Sequence, residues 1–430
     1  MPNLGVSSET DLIDGVSSLK SEGEIQAQQL PINELNGSIL HQCVKKEEYN
    51  KEINQWDELP IDTDLLRGIY AYGYEKPSEI QRKAILPILD GRDVIAQAQS
   101  GMGKTGTFTI GVLGRIDLTK PKVQAIIMAP THELVKQTYN VIKSIGSTLK
   151  GLRIKTLIGG TSIQDDADDI RNSCPHIIVG TAGRMYDMFR RKYLLGHDVK
   201  VLILDEADEM LSQGFQDKIH QIFQFLNENV QVAIFSATLP EEILNITTKF
   251  MRNPVKITME AEKLNLECIT QYFIALRHDG DKYDTLKDLF SAISVAQCII
   301  YCNSIHRVTD LYKAMIDEGF SVCYIHSSMD KTERDQSFNN FKSGNFRVLI
   351  SSDITARGID IQQVSIVINF DITRCPHKYL HRIGRSGRWG RKGMAINFIT
   401  RQDIEIMHKI EKHYNIEIKE LPSNFSGSIC

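Results

Sequence analysis

From Trp56 onward, short apolar runs rich in Val, Ile and Leu alternate with segments whose apolar residues recur at helical spacing. The runs DVIAQA (93–98), VQAIIMAP (123–130), HIIVGT (176–181), KVLILDEAD (200–208) and VQVAIFSAT (230–238) are apolar nearly end to end. Strands buried on both faces read this way, whereas half-exposed strands alternate. Between the runs, ELVKQTYNVIKSIG (133–146) and GFQDKIHQIFQFL (214–226) have an amphipathic helical period. Strand–helix alternation predicts an α/β fold, with a parallel sheet covered by helices on both sides. The pattern pauses over 249–276, which holds Pro254 and a charged stretch, and this places a linker at 257–267. A second series follows: AQCIIYCNS (296–304), FSVCYIHSS (320–328), FRVLISSD (346–353), QVSIVINFD (363–371) and MAINFIT (394–400). The expected organisation is a tail over 1–50, one α/β domain over 51–256, and a second over 268–430. The two domains share no strong sequence repeat.

Length and composition fit two soluble domains: 430 residues, 42% hydrophobic and 24% charged. The net charge of −4 argues against a uniformly basic nucleic-acid coat. Residues 1–50, rich in Ser, Glu, Gln and Asn, carry three Lys against eight acidic residues. That composition reads as a mobile acidic tail. The body is therefore close to neutral, and any grip on phosphate must come from a local groove. Eight cysteines are scattered with no Cys-x2-Cys pair, which argues against a structural zinc site and for a reducing compartment. Cys298, inside AQCIIYC, reads as a buried thiol. The N-terminal acids do not match a leader peptide, and no apolar run approaches the ~20 residues of a membrane span.

AQSGMGKTGTF (98–108) joins an apolar strand run to a helical one. Gly101 and Gly103 let backbone N–H groups close on phosphate oxygens, with Ser100 and Met102 completing the loop. Lys104 brings a charge to the terminal phosphates, and the Thr105 hydroxyl can ligate Mg²⁺. LILDEADEML (202–211) ends a strand run in two carboxylates at the edge where α/β proteins bind ligands. Asp205 is placed to hold Mg²⁺, and Glu206 to orient or deprotonate a water. Together these segments specify nucleoside triphosphate hydrolysis.

Asp205-Glu206-Ala207-Asp208 is the signature of the DEAD-box RNA helicases, which the chain resembles from about Trp56 to its end. The resemblance implies two RecA-like parallel-sheet domains joined by a short flexible linker. It implies ATP as the nucleotide, read by Gln81 in LLRGIYAYGYEKPSEIQRKAI (65–85), with Tyr74 or Trp56 packing near the base. A Gln amide offers both a donor and an acceptor to adenine. Ser236 and Thr238 of the SAT segment would link to Asp208 and couple hydrolysis to RNA; alone, Ser-x-Thr after a strand reads as a helix cap. RNA backbone contacts would fall on PTHELV (130–135; Thr131, His132), on Gly159-Gly160-Thr161, and on TAGR (181–184; Thr181, Arg184). In the second domain, Asn303, Ser304, Lys331, Arg334 and Thr355 lie where the family grips RNA or joins its domains.

HRIGRSGRWGRK (381–392) is the densest basic segment. Its spacing of three puts Arg382, Arg385 and Arg388 near one face of a helical turn, facing solvent or phosphate. In the family's pattern Arg385 and Arg388 look like arginine fingers on the γ-phosphate, His381 couples to the first domain's acids, and Asp360 meets the ribose. Within the family, GTS (160–162), KFMRNPV (249–255) and GIDIQQVS (358–365) resemble the translation initiation factor 4A branch. That likeness implies a monomeric catalytic unit, a sequence-nonspecific single-stranded or short-duplex RNA substrate, and a scaffold partner of the initiation factor 4G type. It also implies a cytoplasmic location, with the nucleus as the alternative, and no membrane. An exon-junction type of RNA clamp and a hydrolysis-impaired RNA-binding scaffold are the competing readings. The chain departs from the pattern at Met102, where a bulkier side chain crowds the phosphate loop. It departs also at His132 in place of Arg, at Ala182 in place of Pro, and at Ser327-Ser328.

Overall fold

The computed structural model describes residues 49–99, 101–211, 216–239, 247, 250–259, 269–292, 297–355, 364–386 and 392–422. The first half is built on β1 (Val94–Gln97), β2 (Ala125–Met128), β3 (Ile154–Leu157), β4 (Ile177–Gly180), β5 (Val201–Asp205), β6 (Gln231–Ser236) and β7 (Val255–Thr258). They form one parallel sheet in the order β3-β4-β2-β5-β6-β1-β7. The second half has β8 (Ile269–Ala275), β9 (Cys298–Tyr301), β10 (Val322–Ile325), β11 (Val348–Ser351), β12 (Ile366–Asn369), β13 (Gly393–Ile399) and β14 (Lys419–Glu420). Their order is β10-β11-β9-β12-β13-β8-β14, again all parallel. Counted within its own half, the second order repeats the first. The halves are two copies of one topology without an evident sequence repeat.

Each of the ten apolar runs supplies one strand. The four further strands are β3, β7 and β14 at sheet edges and β8 beside one, between β13 and β14. Strand β3 carries Lys155 and Thr156 and is mostly half-buried, and β14 is exposed. Strand β7 extends the first half past the expected linker start at 257: its register runs to Thr258, and the Met259 N–H donates to the Gln97 carbonyl (3.0 Å). The rest of that linker, 260–267, lies outside the described residues, as do residues 1–48 of the tail. At the start of the described chain Tyr49 Oη donates to Asp90 (2.7 Å), and buried Ile53 donates its N–H to the Arg82 carbonyl (3.2 Å).

Alternate strand residues serve opposite faces. Ala125, Ile127, Val201, Ile203 and Phe235 pack under α1 (Thr63–Ala71), α2 (Glu79–Leu89), α3 (Lys104–Arg115) and α4 (His132–Ile145). Ile126, Met128, Leu202, Leu204 and Ile234 pack under α5 (Ile163–Ser173), α6 (Ala182–Arg190), α7 (Ala207–Met210) and α8 (Gln216–Phe223). The second sheet is sandwiched in the same way. Cys298, Cys302 and Cys323 are buried free thiols whose pKa values burial pushes up, as the apolar setting of Cys298 predicts. Because every strand is parallel, the loops after β1 to β6 gather at one sheet edge, the edge that binds ligands in such folds.

Candidate active site

Strand β1 delivers the chain to the phosphate loop, and α3 begins at Lys104. Gly101 (φ +89°) and Gly103 (φ +100°) both occupy the left-handed region that favours glycine. A Cβ on Gly103 would lie 2.9 Å from Ser78 Oγ. The half-buried Met102 side chain packs against the core above the sheet, and its carbonyl accepts the Ser78 hydroxyl (2.8 Å). Lys104 is buried with Nζ 3.3 Å from Glu206 Oε1, and Thr105 follows it half-buried. Ser100 lies outside the described residues.

Gln81 is buried and joins α2 to this loop. Its Oε1 accepts the Ser78 N–H (2.7 Å), and Nε2 faces the Gly103 carbonyl at 3.5 Å. Trp56 is wholly buried and stacks behind Tyr74, ring centroids 6.1 Å apart. Of the two candidate rings, Trp56 is therefore a support, and half-buried Tyr74 is the one nearer solvent. The Tyr74 hydroxyl leaves room only for glycine at 106, where a Cβ would approach it to 2.6 Å.

Strand β5 ends at Asp205, and the next residue, Glu206, is held at φ +50°, an uncommon conformation for a residue with a side chain. The Glu206 N–H donates to Asp205 Oδ1 (3.0 Å). Burial, then the neighbouring Glu206 charge, pushes the Asp205 carboxyl up to about 7, with Lys104 opposing. Asp208 is the meeting point of three elements. Its N–H donates to Ser236 Oγ (3.2 Å), and its Oδ2 accepts Thr238 Oγ1 (2.7 Å) and lies 3.0 Å from His381 Nε2. His381 belongs to the other half, on the helix Pro376–Ile383. The expected coupling group of Asp208, Ser236, Thr238 and His381 is thus assembled across the cleft.

The basic segment divides differently from its spacing. The helix stops at Ile383, so Arg382 and Arg385 do not share one helical face. Arg385 lies in the following turn, buried, with Nε donating to the His381 carbonyl (3.1 Å). Arg382 points into the second half. Its Nε reaches Asp353 (2.6 Å), Nη1 reaches Asn369 (3.2 Å) and the Asp371 carbonyl (2.7 Å), and Nη2 reaches Asn303 (2.8 Å). A buried guanidinium satisfied by two acidic or amide walls is structural, not phosphate-facing. Arg388 and Asp360 lie outside the described residues.

Of the RNA candidates, Thr131, His132, Gly159, Gly160 and Thr181 gather at the loop edge of the first sheet. Thr131 caps α4 by accepting the Leu134 N–H (3.4 Å). Gly160 is exposed at φ +80°, with nothing near its Cβ position. Thr181 precedes α6 and ties its N–H to the Leu157 carbonyl (3.0 Å). Four others have their side chains turned to internal partners. Arg184 is buried, bonded to Asp166 and to the Thr161 carbonyl (2.6 Å each), so it shapes the Gly159–Thr161 loop. Asn303 spends its amide on the Ile372 carbonyl (2.9 Å) and on Arg382. Thr355 is buried, its hydroxyl donating to Ser351 Oγ (2.6 Å). Arg334 pairs across the cleft with Glu133, Nη2–Oε2 2.7 Å and Nε–Oε1 2.5 Å, and Lys136 pairs with Asp335 beside it. Glu133, Asp166 and Ser78 were not singled out from sequence: their roles depend on partners far along the chain or on a backbone carbonyl.

The DEAD/DEAH box helicase family matches residues 78–246, and the helicase conserved C-terminal domain matches residues 281–390. The ATP-dependent RNA helicase eIF4A of Lodderomyces elongisporus is 48% identical over 379 residues, 88% of this chain and 95% of the relative. That of Pyricularia oryzae is 46% identical over 381 residues, 89% of this chain and 96% of the relative. The solved structure of S. cerevisiae Dbp5 bound to RNA and ADP BeF3 superposes with a TM-score of 0.80 at 33% identity, covering 86% of this chain and 96% of that one. With a phosphate loop, a DEAD strand end and a second sheet of the same topology joined through Asp208, the chain belongs to the DEAD-box helicase family.

Proposed function

We propose that the chain is an RNA-stimulated ATPase and ATP-dependent RNA helicase of the initiation factor 4A kind. It grips RNA backbone without strong sequence preference and separates short duplexes as its halves close over ATP. The observation that carries this reading is Asp208, bonded at once to Thr238 of the first half and close to His381 of the second. One carboxylate beside the hydrolytic acid thereby senses whether the cleft is closed. Neither half holds a complete site, so hydrolysis depends on closure.

Within this reading Lys104 neutralises the terminal phosphates, and the Glu206 carboxylate now takes their place as its partner. Glu206 orients and deprotonates the attacking water, and Arg385 with Arg388 stabilises charge developing in the transition state. Tyr74 packs on the base, and Gln81 reads it by exchanging its loop bond for the adenine edge. Asp205 and Thr105 suit Mg²⁺: both offer hard oxygens, and burial with the neighbouring Glu206 charge, only partly offset by Lys104, holds the Asp205 carboxyl up in a way that a divalent cation would relieve. When bound, the ion would neutralise phosphate charge. Thr131, His132, Gly159, Gly160 and Thr181 present the RNA surface of the first half, while Arg184, Asn303, Arg334 and Thr355 position it. The ATP-binding half spans 51–256 and continues through β7, and the C-terminal half spans 268–430. The names of the relatives support translation initiation; with that role we infer a cytoplasmic monomer working with a scaffold of the initiation factor 4G type.

The test is phosphate release with and without single-stranded RNA, alongside displacement of a short RNA duplex, for wild type and Glu206→Gln. RNA-stimulated release and displacement by wild type alone are expected. Wild-type release no higher than that of Glu206→Gln would reject the reading.

A further inference from the structure

Building on the RNA-binding reading, we propose that His132 is a proton-coupled phosphate ligand: an RNA phosphate at the loop edge of the first half binds together with one proton taken up by His132. His132 opens α4 at the seam between the halves. Its Nε2 lies 3.5 Å from the Cβ position of half-buried Gly159, so the ring rests against the Gly159-Gly160 loop, whose Gly160 is exposed. The charged groups facing it are Glu133 and Lys136 on its own helix, and Arg334 and Lys331 on the opposing helix Lys331–Lys342. The Gly159-Gly160 turn carries no titratable side chain. Two acids stand among these groups: Glu133, engaged by Nη2 and Nε of Arg334, and Asp335 of the opposing helix, paired with Lys136. The acids beside the ring are thus committed to Arg334 and Lys136, and none of them is paired with the imidazole itself. Burial first, and Arg334 second, hold its pKa below the ordinary histidine value. A phosphate entering over Gly160, where open space lies, reverses that balance, because a nearby opposite charge favours the imidazolium.

The sign follows from linkage. The RNA-bound pKa exceeds the RNA-free one, so the gain in affinity is complete below the RNA-free value and is lost as pH rises through the RNA-bound value. The experiment measures anisotropy of a labelled single-stranded RNA with a nonhydrolysable ATP analogue, from pH 5.5 to 8.5 at fixed ionic strength. Wild type, His132→Arg and His132→Gln are compared, each checked for native melting. Wild-type affinity is expected to rise as pH falls, by at most about tenfold per pH unit, the limit for one proton. His132→Arg should stay near the acid wild-type affinity, and His132→Gln near the alkaline one, with only the slope common to all three remaining. A wild-type slope equal to that of both variants, or affinity that weakens in acid, overturns the proposal. Calorimetry of wild type in buffers of different ionisation enthalpy reads the proton directly, and zero uptake near pH 7 overturns it without any variant. Wild type that binds RNA at no pH overturns instead the function reading on which the proposal stands.

Discussion

Arg382→Met separates the two roles open to the basic segment. In the structure Arg382 is wholly buried, with four hydrogen bonds and its guanidinium 5.2 Å over the Tyr301 ring. Removing it orphans the Asn303 and Asn369 amide oxygens and leaves Asp353, among the described residues, with Lys378 3.3 Å away. Breaking one side of a buried pair costs about 3–5 kcal/mol. Each orphaned buried acceptor adds about 1–3 kcal/mol where it cannot relax. Asp353 is partly exposed and keeps Lys378, which holds the total near the lower figure, about 3–5 kcal/mol. For a half of this size each kcal/mol moves the melting point by about 2–4 °C, so the second-half transition should fall by roughly 10 °C. Arg382→Lys should not restore it, because an ammonium cannot span this fan of acceptors. Calorimetric melting and RNA affinity against salt concentration are the assays. An unchanged melting point, with a salt slope for RNA binding reduced by about one, would show Arg382 on phosphate and refute the structural role.

Glu133→Gln and Arg334→Gln each break the buried pair across the cleft. Each should lower RNA-stimulated ATPase at least about tenfold, the equivalent of about 1.4 kcal/mol, while leaving RNA-independent melting of the first half within about 1 °C; full stimulated activity would refute this. Asp205 has a folded pKa of about 7 against 3.8 for an unperturbed carboxyl, so its burial destabilises the fold fully above about 7, less as pH falls, and not at all below about 4. Asp205→Asn should therefore melt above wild type at pH 8, lose that margin towards pH 4, and lose ATPase; equal melting at pH 8 would contradict the burial argument. Gly106→Ala drives a Cβ against the Tyr74 hydroxyl and Gln81 Nε2, at 2.6 and 2.8 Å. It should raise KM for ATP severalfold without changing nucleotide-free RNA affinity, and an unchanged KM would argue against Tyr74 at the base.

The amino-acid sequence by itself determined the elements that announce themselves locally. The ten apolar runs became strands because a strand covered on both faces must be apolar throughout, whatever lies beside it. The phosphate loop and the DEAD strand end were legible because each chemistry is carried by consecutive residues. Strands β3, β7 and β14 were not legible, because their residues are polar or half-exposed, whereas the edge strand β10 was, because VCYI is apolar and mostly buried. Only the tertiary structure decided which cations are free. Arg184, Arg334 and Arg382 look alike as surface charges in sequence, yet each is committed to an acid or amide brought from elsewhere: Asp166 near it, Glu133 from the other half, and Asp353 with Asn303 across the sheet. A side chain's charge is a property of its residue, but its partner is a property of the fold. For the same reason Trp56 and Tyr74 were interchangeable in sequence and became distinct only when burial assigned one to the core and the other to the cleft.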